Sequence, residues 1–490
     1  TDDNELTNMT LYGKWSGSWH ANETTSLSGT SNDATFSKTI TDGLYVWNCL
    51  ANDSSGNTDF ANTNYTLTVD STNPSIELTT GTEVDGFNTT RNWTFVNITV
   101  TESNEANVTF SLFNVSSSAL VNNTTFTDST RDLNFTQLVD GNYSYNVTVL
   151  DTAGNENTTS TRTITIDTTI PLISYTDGTE SNGANLSRNW TLVNVTVTEP
   201  NEANITFFIY NSSSSALVSN LTFLDATRSY NFTNLVDGNY TFNITIIDGA
   251  GNENTSADRN VTVDTTVPLI DFTDGTESDS FNTSRNWTLV NVTVTELSEA
   301  NITFFLYNTT SSVLLNNTTF SDFTRDINFT NLTDGNYSFN VTVRDFAGNE
   351  NSTTTRITTI DNTPPQVSFG SGMSNDHVYV TRNWTFVNVT VTEPNFANIT
   401  FNLLNSTSDT LLNNTTFTDS TRNLNFTQLV DGNYSYNVTV TDVMSNVNTT
   451  TARVIVIDTT NPTISLVRPQ NTTYYSNESI PLNFSTTDAN

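Results

Sequence analysis

The sequence predicts an all-β protein, a linear array of seven-stranded antiparallel β-sandwiches. Three observations carry that expectation. Short residue words recur at a fixed step of 97: "RNWT" begins at Arg91, Arg188, Arg285 and Arg382, and "DGNY" at Asp140, Asp237, Asp334 and Asp431. Between these words, segments alternate apolar and polar side chains with the period of two that marks strands. No stretch shows the three-to-four spacing of an amphipathic helix. A further word opens at Asp70, Asp167, Asp264, Asp361 and Asp458, as in "DTTIP" and "DTTVP", and keeps the same step. The chain of 490 residues is too long for one core. A period this uniform, without insertions, indicates stacked units of constrained length.

The words divide the chain into residues 1–70, a divergent unit lacking its first two strands; full repeats 71–167, 168–264, 265–361 and 362–458; and residues 459–490, the first two strands of a further unit. In the first full repeat the elements read in order. "SIELTT" from Ser75 is the opening strand. "NWTFVNITVT" from Asn92 follows, with a phase slip at Phe95–Val96 that reads as a bulge. "NVTFSLFN" from Asn107 puts Val108, Phe110 and Leu112 on one face. "TTFTD" from Thr124 and "LNFTQ" from Leu133 are short strands. "NYSYNVTVLD" from Asn142 turns Tyr143, Tyr145, Val147 and Val149 inward, and "TRTITID" from Thr161 closes the unit. Seven short strands separated by turn residues make an antiparallel sandwich.

"DGNY" sharpens the fold. Immunoglobulin-type sandwiches carry a tyrosine near the start of the sixth strand, two residues before the usual second cysteine, with its hydroxyl returned to upstream backbone. Tyr143, Tyr240, Tyr337 and Tyr434 take that place, and Tyr145 stands at the cysteine position. With V-x-D-x-A-G-N and D-T-T-x-P following, the chain resembles the tandem Ig-like repeats of bacterial and archaeal cell-surface proteins over essentially its whole length. The resemblance implies the fold and an extracellular, cell-surface location. It leaves filament, adhesin stalk and S-layer component open, because surface proteins of all three kinds use such repeats. In the first unit Trp47 takes the cysteine position and Cys49 reads as a small buried hydrophobe. The last full repeat replaces "DTAGNEN" with "DVMSNVN" from Asp442. Trp93, Trp190, Trp287 and Trp384 read as core or sheet-edge plugs, and Arg91, Arg131 and Arg162 as partners of nearby carboxylates.

Composition limits the function. The net charge is −35, from 16 basic and 51 acidic residues. No basic patch exists to neutralise nucleic-acid phosphates. No apolar run approaches the length of a membrane span. One cysteine excludes a disulfide framework. The only lysines are Lys14 and Lys38. Two unrelated histidines, His20 and His377, and the absence of nucleophile, metalloprotease or phosphate-loop motifs argue against an enzyme.

Two chemistries remain. N-x-S/T triplets number about fifty, against roughly twenty from composition alone. In "NVTV" the asparagine and threonine share one strand face and the valines the other, so an oligosaccharide on the asparagine would point to solvent. The candidate acceptors are Asn97, Asn107, Asn122, Asn146, Asn194, Asn204, Asn243, Asn291, Asn301, Asn316, Asn340, Asn388, Asn398 and Asn437, with Asn122 and Asn316 placed in loops. Covalent N-glycans would solvate a surface with only 14% charged residues. The alternative is that threonine and asparagine simply fill polar strand positions.

The second chemistry is cation binding. Each unit ends in oxygen-rich turns, such as Asp151, Asn155, Glu156 and Asp167, and the next contributes Glu199, Asp177 and Glu180. Calcium takes six to eight oxygens, and several Ig-like adhesins resembling this chain hold it at their joints. Glu102, Asp151 and Asp167 are the candidate ligands in the first full repeat. The alternative is solvated loop carboxylates and turn-forming residues.

The ends admit two readings. The chain is a window of a longer polypeptide, or the strands beginning at Asp458 complete the broken first unit of another copy. "TTDAN" at Thr486 is in phase with "TDDN" at Thr1 for the second reading. Partners are then copies of the chain end to end, with other surface glycoproteins or a partner cell as further candidates. Each unit would add roughly 35–40 Å if its strands lie along the axis.

Overall fold

The computed structural model describes residues 4–469, 473, 479 and 481–488. Asp2, used in the phase comparison above, lies outside them. The described chain is all-β, with no helix, and consists of repeated Ig-like sandwich sheets in tandem. It falls into two compact units, Thr1–Ala184 with Asn189–Thr262, and Asn185–Arg188 with Val263–Asn490.

The amino-terminal sheet contains β1 (Leu6–Gly13), β2 (His20–Ser26), β3 (Gly43–Asp53), β4 (Thr58–Phe60) and β5 (Tyr65–Val69), ordered β2-β1-β3-β4 with β5 also on β3. The next repeat contains nine strands: β6 (Ser75–Leu78), β7 (Phe87–Thr89), β8 (Thr94–Thr101), β9 (Glu105–Asn114), β10 (Leu120–Phe126), β11 (Asp132–Phe135), β12 (Gly141–Asp151), β13 (Glu156–Thr158) and β14 (Arg162–Ile166). One sheet is β11-β8-β6; the other is β10-β9-β12-β14-β7, with β13 on β12.

Seven of these strands are the expected ones. The other two are β7, which runs parallel to β14, and β13. β13 and β14 form one broken strand along β12. At the break Val147 N–H donates to Thr159 Oγ1 at 3.0 Å, while Thr159 N–H donates to Val147 O at 2.9 Å. A side-chain oxygen stands in for a backbone acceptor, so the strand shifts register without leaving a buried N–H unpaired. The same device recurs with Ser256, Thr353 and Thr450.

The core lies between the two sheets. Val108, Phe110 and Leu112 from β9, Tyr143, Tyr145, Val147 and Val149 from β12, and Ile164 and Ile166 from β14 are buried against Val96 and Ile98 of β8. Alternation along β12 is unbroken, which places Asn146 and Thr148 outside. The tyrosine corner closes in every repeat: Tyr143 Oη donates to Val139 O at 2.9 Å, and Tyr240, Tyr337 and Tyr434 donate to the residue four back at 2.8 Å.

Four details differ from the sequence reading. β8 has no bulge: it pairs in continuous register with β11 and β6. The phase slip arises because Thr94 points into the core, at 0% exposure, and Phe95 points out. Trp93 is half-buried and Trp190 and Trp384 are exposed, so none plugs the core. Trp93, Trp287 and Trp384 lie under the guanidinium groups of Arg91, Arg285 and Arg382 at 4.0–4.4 Å, a contact of charge with the ring face. Arg131 forms the expected bidentate pair with Glu105, at 2.6 and 3.1 Å, and Arg91 pairs with Glu83. Arg162 instead donates to the carbonyl of Glu83 at 2.6 Å. In the first sheet, Trp47 and Cys49 are only half-buried, and burial pushes the Cys49 thiol pKa up. Asn48 takes the inward place, bonded to both the N–H and the carbonyl of Ala61.

Thr94, Thr191, Thr288 and Thr385 are each fully buried, and among the described residues their hydroxyls have no hydrogen-bond partner. Replacing Thr94 by valine removes that orphan at nearly constant volume. The substitution is expected to stabilise its repeat by roughly 1 kcal/mol, read by urea denaturation.

Candidate site at the repeat linkers

The stretch from Asp151 to Asn157 covers the end of β12, the turn after it and the start of β13. Asp151 is 1% exposed and organises the turn. Its Oδ1 accepts N–H from Ala153 and Asn155, both at 2.8 Å, and its Oδ2 accepts from Asn155 Nδ2 at 2.7 Å. Burial pushes the Asp151 pKa up, but these hydrogen bonds outweigh it and hold it below the usual carboxylate value.

Asn155 then reaches beyond its own turn. Its Nδ2 also donates to Asp70 O at 2.9 Å, and Asn157 Nδ2 donates to Pro74 O at 2.8 Å. Both acceptors are backbone carbonyls of the segment leading into β6. The pattern repeats at Asn252 and Asn254 on Asp167 and Pro171, at Asn349 and Asn351 on Asp264 and Pro268, and at Asn446 and Asn448 on Asp361 and Pro365. The altered turn of the last repeat therefore keeps every residue that acts. Asp442, Asn446 and Asn448 make the same contacts, the changed side chains between them make none of these, and Met444 keeps the backbone bond of its counterpart, its N–H donating to Asp442 Oδ1 at 2.8 Å.

The linker is also held from the preceding repeat. Asp140 of "DGNY" accepts Thr168 N–H at 2.9 Å, Thr168 Oγ1 at 2.8 Å and Thr169 Oγ1 at 2.6 Å. Asp42 does the same for Ser71 and Thr72, and Asp431 for Thr459 and Thr460. Burial raises the Asp140 pKa, and the bonds from Thr169 and Thr168 bring it below the usual value.

Carboxylates gather at these linkers in three groups among the described residues: Asp70, Glu102 and Asp151; Asp167, Glu199 and Asp248; Asp361, Glu393 and Asp442. Within each group, one ligand atom per residue lies within 4.8 Å of the others. The structure thus brings Glu102 and Asp151 together, but with Asp70. Asp167 belongs to the next group, one repeat on. Asp177 and Glu180 stay apart from it: they sit in the loop before residue 184, where Glu180 O accepts from Arg259. Asp70 was missed because its partners Glu102 and Asp151 are distant in sequence.

An asparagine after the glutamate draws each group together. Asn201 N–H donates to Glu199 Oε1 at 2.7 Å and its Nδ2 to Asp167 Oδ2 at 3.1 Å. Asn104 and Asn395 do the same. Ser298 stands at this position in the third repeat. Among the described residues, Asp264, Glu296 and Asp345 do not form a fourth such group. The donor set is oxygen only, which suits a hard divalent cation. Burial, together with the charges of Asp361 and Asp442, pushes the Glu393 pKa up. Clefts of about 550 Å³ adjoin two of the groups, one lined by Asp140, Asp167 and Glu199, the other by Asp334, Asp361 and Glu393.

The predicted glycan acceptors fall into classes. Asn97, Asn194, Asn291 and Asn388 are half-buried, and each Nδ2 donates to a loop carbonyl at 3.1–3.2 Å. Asn107, Asn204, Asn301 and Asn398, and Asn146, Asn243, Asn340 and Asn437, are half-buried on their strands. Asn122 and Asn316 are exposed, and they lie on strands rather than in loops.

Known proteins fit this architecture. A model of the bacterial Ig-like domain family matches residues 62–168 and 193–265, and one of its group 3 matches residues 321–404. The chain carries bacterial Ig-like domains in tandem. No curated protein matches it. Among solved structures, a tetra-tandem repeat in the extending region of a large adhesion protein is 20% identical, covering 79% of this chain and 99% of that one, with a TM-score of 0.31. Sidekick-1 immunoglobulin domains 1–4 are 11% identical, with the same coverage and a TM-score of 0.26. Fibronectin(III)-like modules of Clostridium thermocellum CbhA are 13% identical, covering 39% and 93%, with a TM-score of 0.24. No helix among the described residues of this Ig-like chain is long and apolar enough to cross a membrane.

Two outcomes follow for the linkers. Asn155→Ala removes two donor bonds, one across the linker to Asp70 O and one within the turn to Asp151 Oδ2, and is expected to cost about 2 kcal/mol, whereas Glu156→Ala, on an exposed side chain, leaves the urea midpoint unchanged. Asp140 and Asp431 have folded pKa values lowered from 3.8. Their contribution is complete above that value and is lost as pH falls through the lowered one. Protection of the Thr168 and Thr459 amides in hydrogen exchange is expected to survive to below pH 3.8 and then collapse.

Proposed function

We propose that this chain is an extracellular structural protein of a cell surface, a heavily N-glycosylated rod or filament of end-to-end Ig-like domains with calcium at its joints. The observation that carries this is the linker held from both sides. At residues 167–171, Asp140 binds from the preceding repeat and Asn252 and Asn254 from the following one. A segment whose backbone groups are fixed by both neighbours has little freedom to bend. Spacing two ends at constant length is what such joints do well. The stalk of an adhesin and an S-layer component are the other uses of the same design.

End-to-end growth by strand complementation between copies is one route to a filament. Thr463–Arg468 and Asn483–Thr487 pair as a hairpin with Ile464, Leu466 and Phe484 exposed, and such strands add readily to an open sheet. An intact polypeptide running on through residue 490 in the native fibre would exclude it. Electron micrographs separate the three uses: isolated fibres support a filament, a two-dimensional lattice the S-layer, and a distinct tip domain the adhesin.

For calcium, the carboxylates of each group are the ligands and the ion supplies charge compensation. Glu393 has a folded pKa raised above 4.5. The contribution of this group is therefore greatest below that value and is lost as pH rises through the raised pKa. A bound divalent cation offsets that loss. Millimolar calcium is expected to raise the melting temperature at pH 7, to have little effect at pH 4, and to add one ion for each of the three carboxylate groups among the described residues. Melting and small-angle scattering unchanged by a chelator at pH 7 would remove calcium from this reading.

A further inference from the structure

We propose that N-glycans on the exposed edge strand of each repeat cap that edge and block sheet-to-sheet pairing between neighbouring molecules. The proposal rests on the glycoprotein reading above and assigns sugar to particular positions with a particular task.

β10 is an outermost strand of its six-stranded sheet, and Leu217–Phe223, Val313–Phe320 and Thr410–Phe417 hold the same place in their repeats. An outermost strand leaves one row of N–H and C=O groups unpaired, and natural proteins protect such edges with lysine, other charges, proline or a bulge. These four strands read LVNNTTF, LVSNLTF, VLLNNTTF and TLLNNTTF, without a charge or a proline. Their first residues are aliphatic and open to solvent: Leu120 is 54% exposed, Leu217 51%, Leu314 43% and Leu411 54%. A bulge near the start of each strand, at Val121, Val218, Leu315 and Leu412, is the backbone device they share, and it leaves the rest of the edge straight. Left bare, four uncharged apolar edges on one molecule are templates for pairing with another.

Every one of these strands carries an acceptor triplet just after its aliphatic pair, at Asn122, Asn220, Asn316 and Asn413, and all four asparagines are exposed. Thr124 Oγ1 donates to Asn122 Oδ1 at 2.8 Å, Thr318 to Asn316 at 2.8 Å, and Thr415 to Asn413 at 3.2 Å. The bond engages the amide oxygen and leaves Nδ2 without a partner among the described residues. In contrast, the Nδ2 groups of Asn97 and its equivalents are tied to carbonyls. Asn413 joins Asn122 and Asn316 as an acceptor through this shared place in the fold, while Asn220 stands one position on, where β10 has Asn123. In the modification, Asn122 Nδ2 bonds to the anomeric carbon of a sugar carried on a polyprenyl phosphate or diphosphate. The bond from that carbon to the phosphate oxygen breaks, the lipid phosphate leaves, and Nδ2 gives up one proton. A hydrated oligosaccharide at that point covers the aliphatic pair and denies a second strand its approach.

Glycopeptide mapping of protein from its native source, followed by sedimentation of two variants, tests this. One variant has Asn→Gln at every triplet of the four edge strands. The other removes the same number of triplets from β9, β12 and their equivalents. Sugar at Asn122, Asn220, Asn316 and Asn413, with the edge variant forming species of at least dimer mass and the other remaining monomeric, is the expected result. A second edge variant made by Thr124→Ala and Thr125→Ala and their equivalents is expected to behave as the first, and a difference between them would mean the changed asparagine, and not lost sugar, drives association. Bare edge asparagines alongside sugar elsewhere would overturn the cap and leave the glycoprotein reading standing. No sugar anywhere would overturn both. A sugar-bearing edge whose loss leaves the molecule monomeric, or native protein that already pairs through these strands, would also overturn the cap.

Discussion

The hydrogen bonds from Asn155 and Asn157 to the carbonyls of Asp70 and Pro74 are the constraint on which the rest of each repeat depends. They fix where the chain arrives at β6, and so which residues of β6 meet β8 across the first sheet. The buried carboxylate of Asp151 exists to shape the turn that presents those two amides. The glutamate and aspartate groups gather there because the linker aspartate is brought against the same turn. One short turn thereby sets the joint, the local charge density and the fixed length of the repeat. Insertion of a residue between Asp151 and Asn157 would displace both donors, which holds this stretch at constant length in all four full repeats.

Much of this was legible in the sequence because it obeys local rules. Period-two alternation identified the core residues of β9 and β12, and the tyrosine four residues after Val139 announced its own corner. Reading failed where a rule is short-ranged and the structure is not. β7 and β13 have three residues each, too few to show a period. Thr94 disguised the phase of β8 by placing a hydroxyl where an apolar group was expected. The tryptophans were read as core or sheet-edge plugs, but the arginine two residues before each of Trp93, Trp287 and Trp384 covers its ring outside the core. Asp70 joins Glu102 and Asp151 across a domain's length of chain, and no local spacing encodes that meeting. The last repeat's turn looked broken because its unused residues changed while Asp442, Asn446 and Asn448 did not.

Low charge and a large polar surface are reconciled by pairing polar groups with one another. Thr109 with Thr125, and Thr148 with Thr158, join hydroxyls across strands at 2.9 Å on the outer face. Such pairs satisfy polar atoms without long flexible side chains, so little side-chain entropy is lost when they form. A surface built this way carries few lysines, and it must manage its sheet edges by other means.

The doubled grip on the linker also decides where a mechanical load goes. Tension along the chain arriving at Asp70 meets Asn155 first, and at Pro74 meets Asn157, before it reaches the four-residue ladder between β6 and β8. The two amides share the pull with that ladder and pass it to β12, the central strand of the larger sheet. That short ladder is thus shielded from being peeled open one bond at a time.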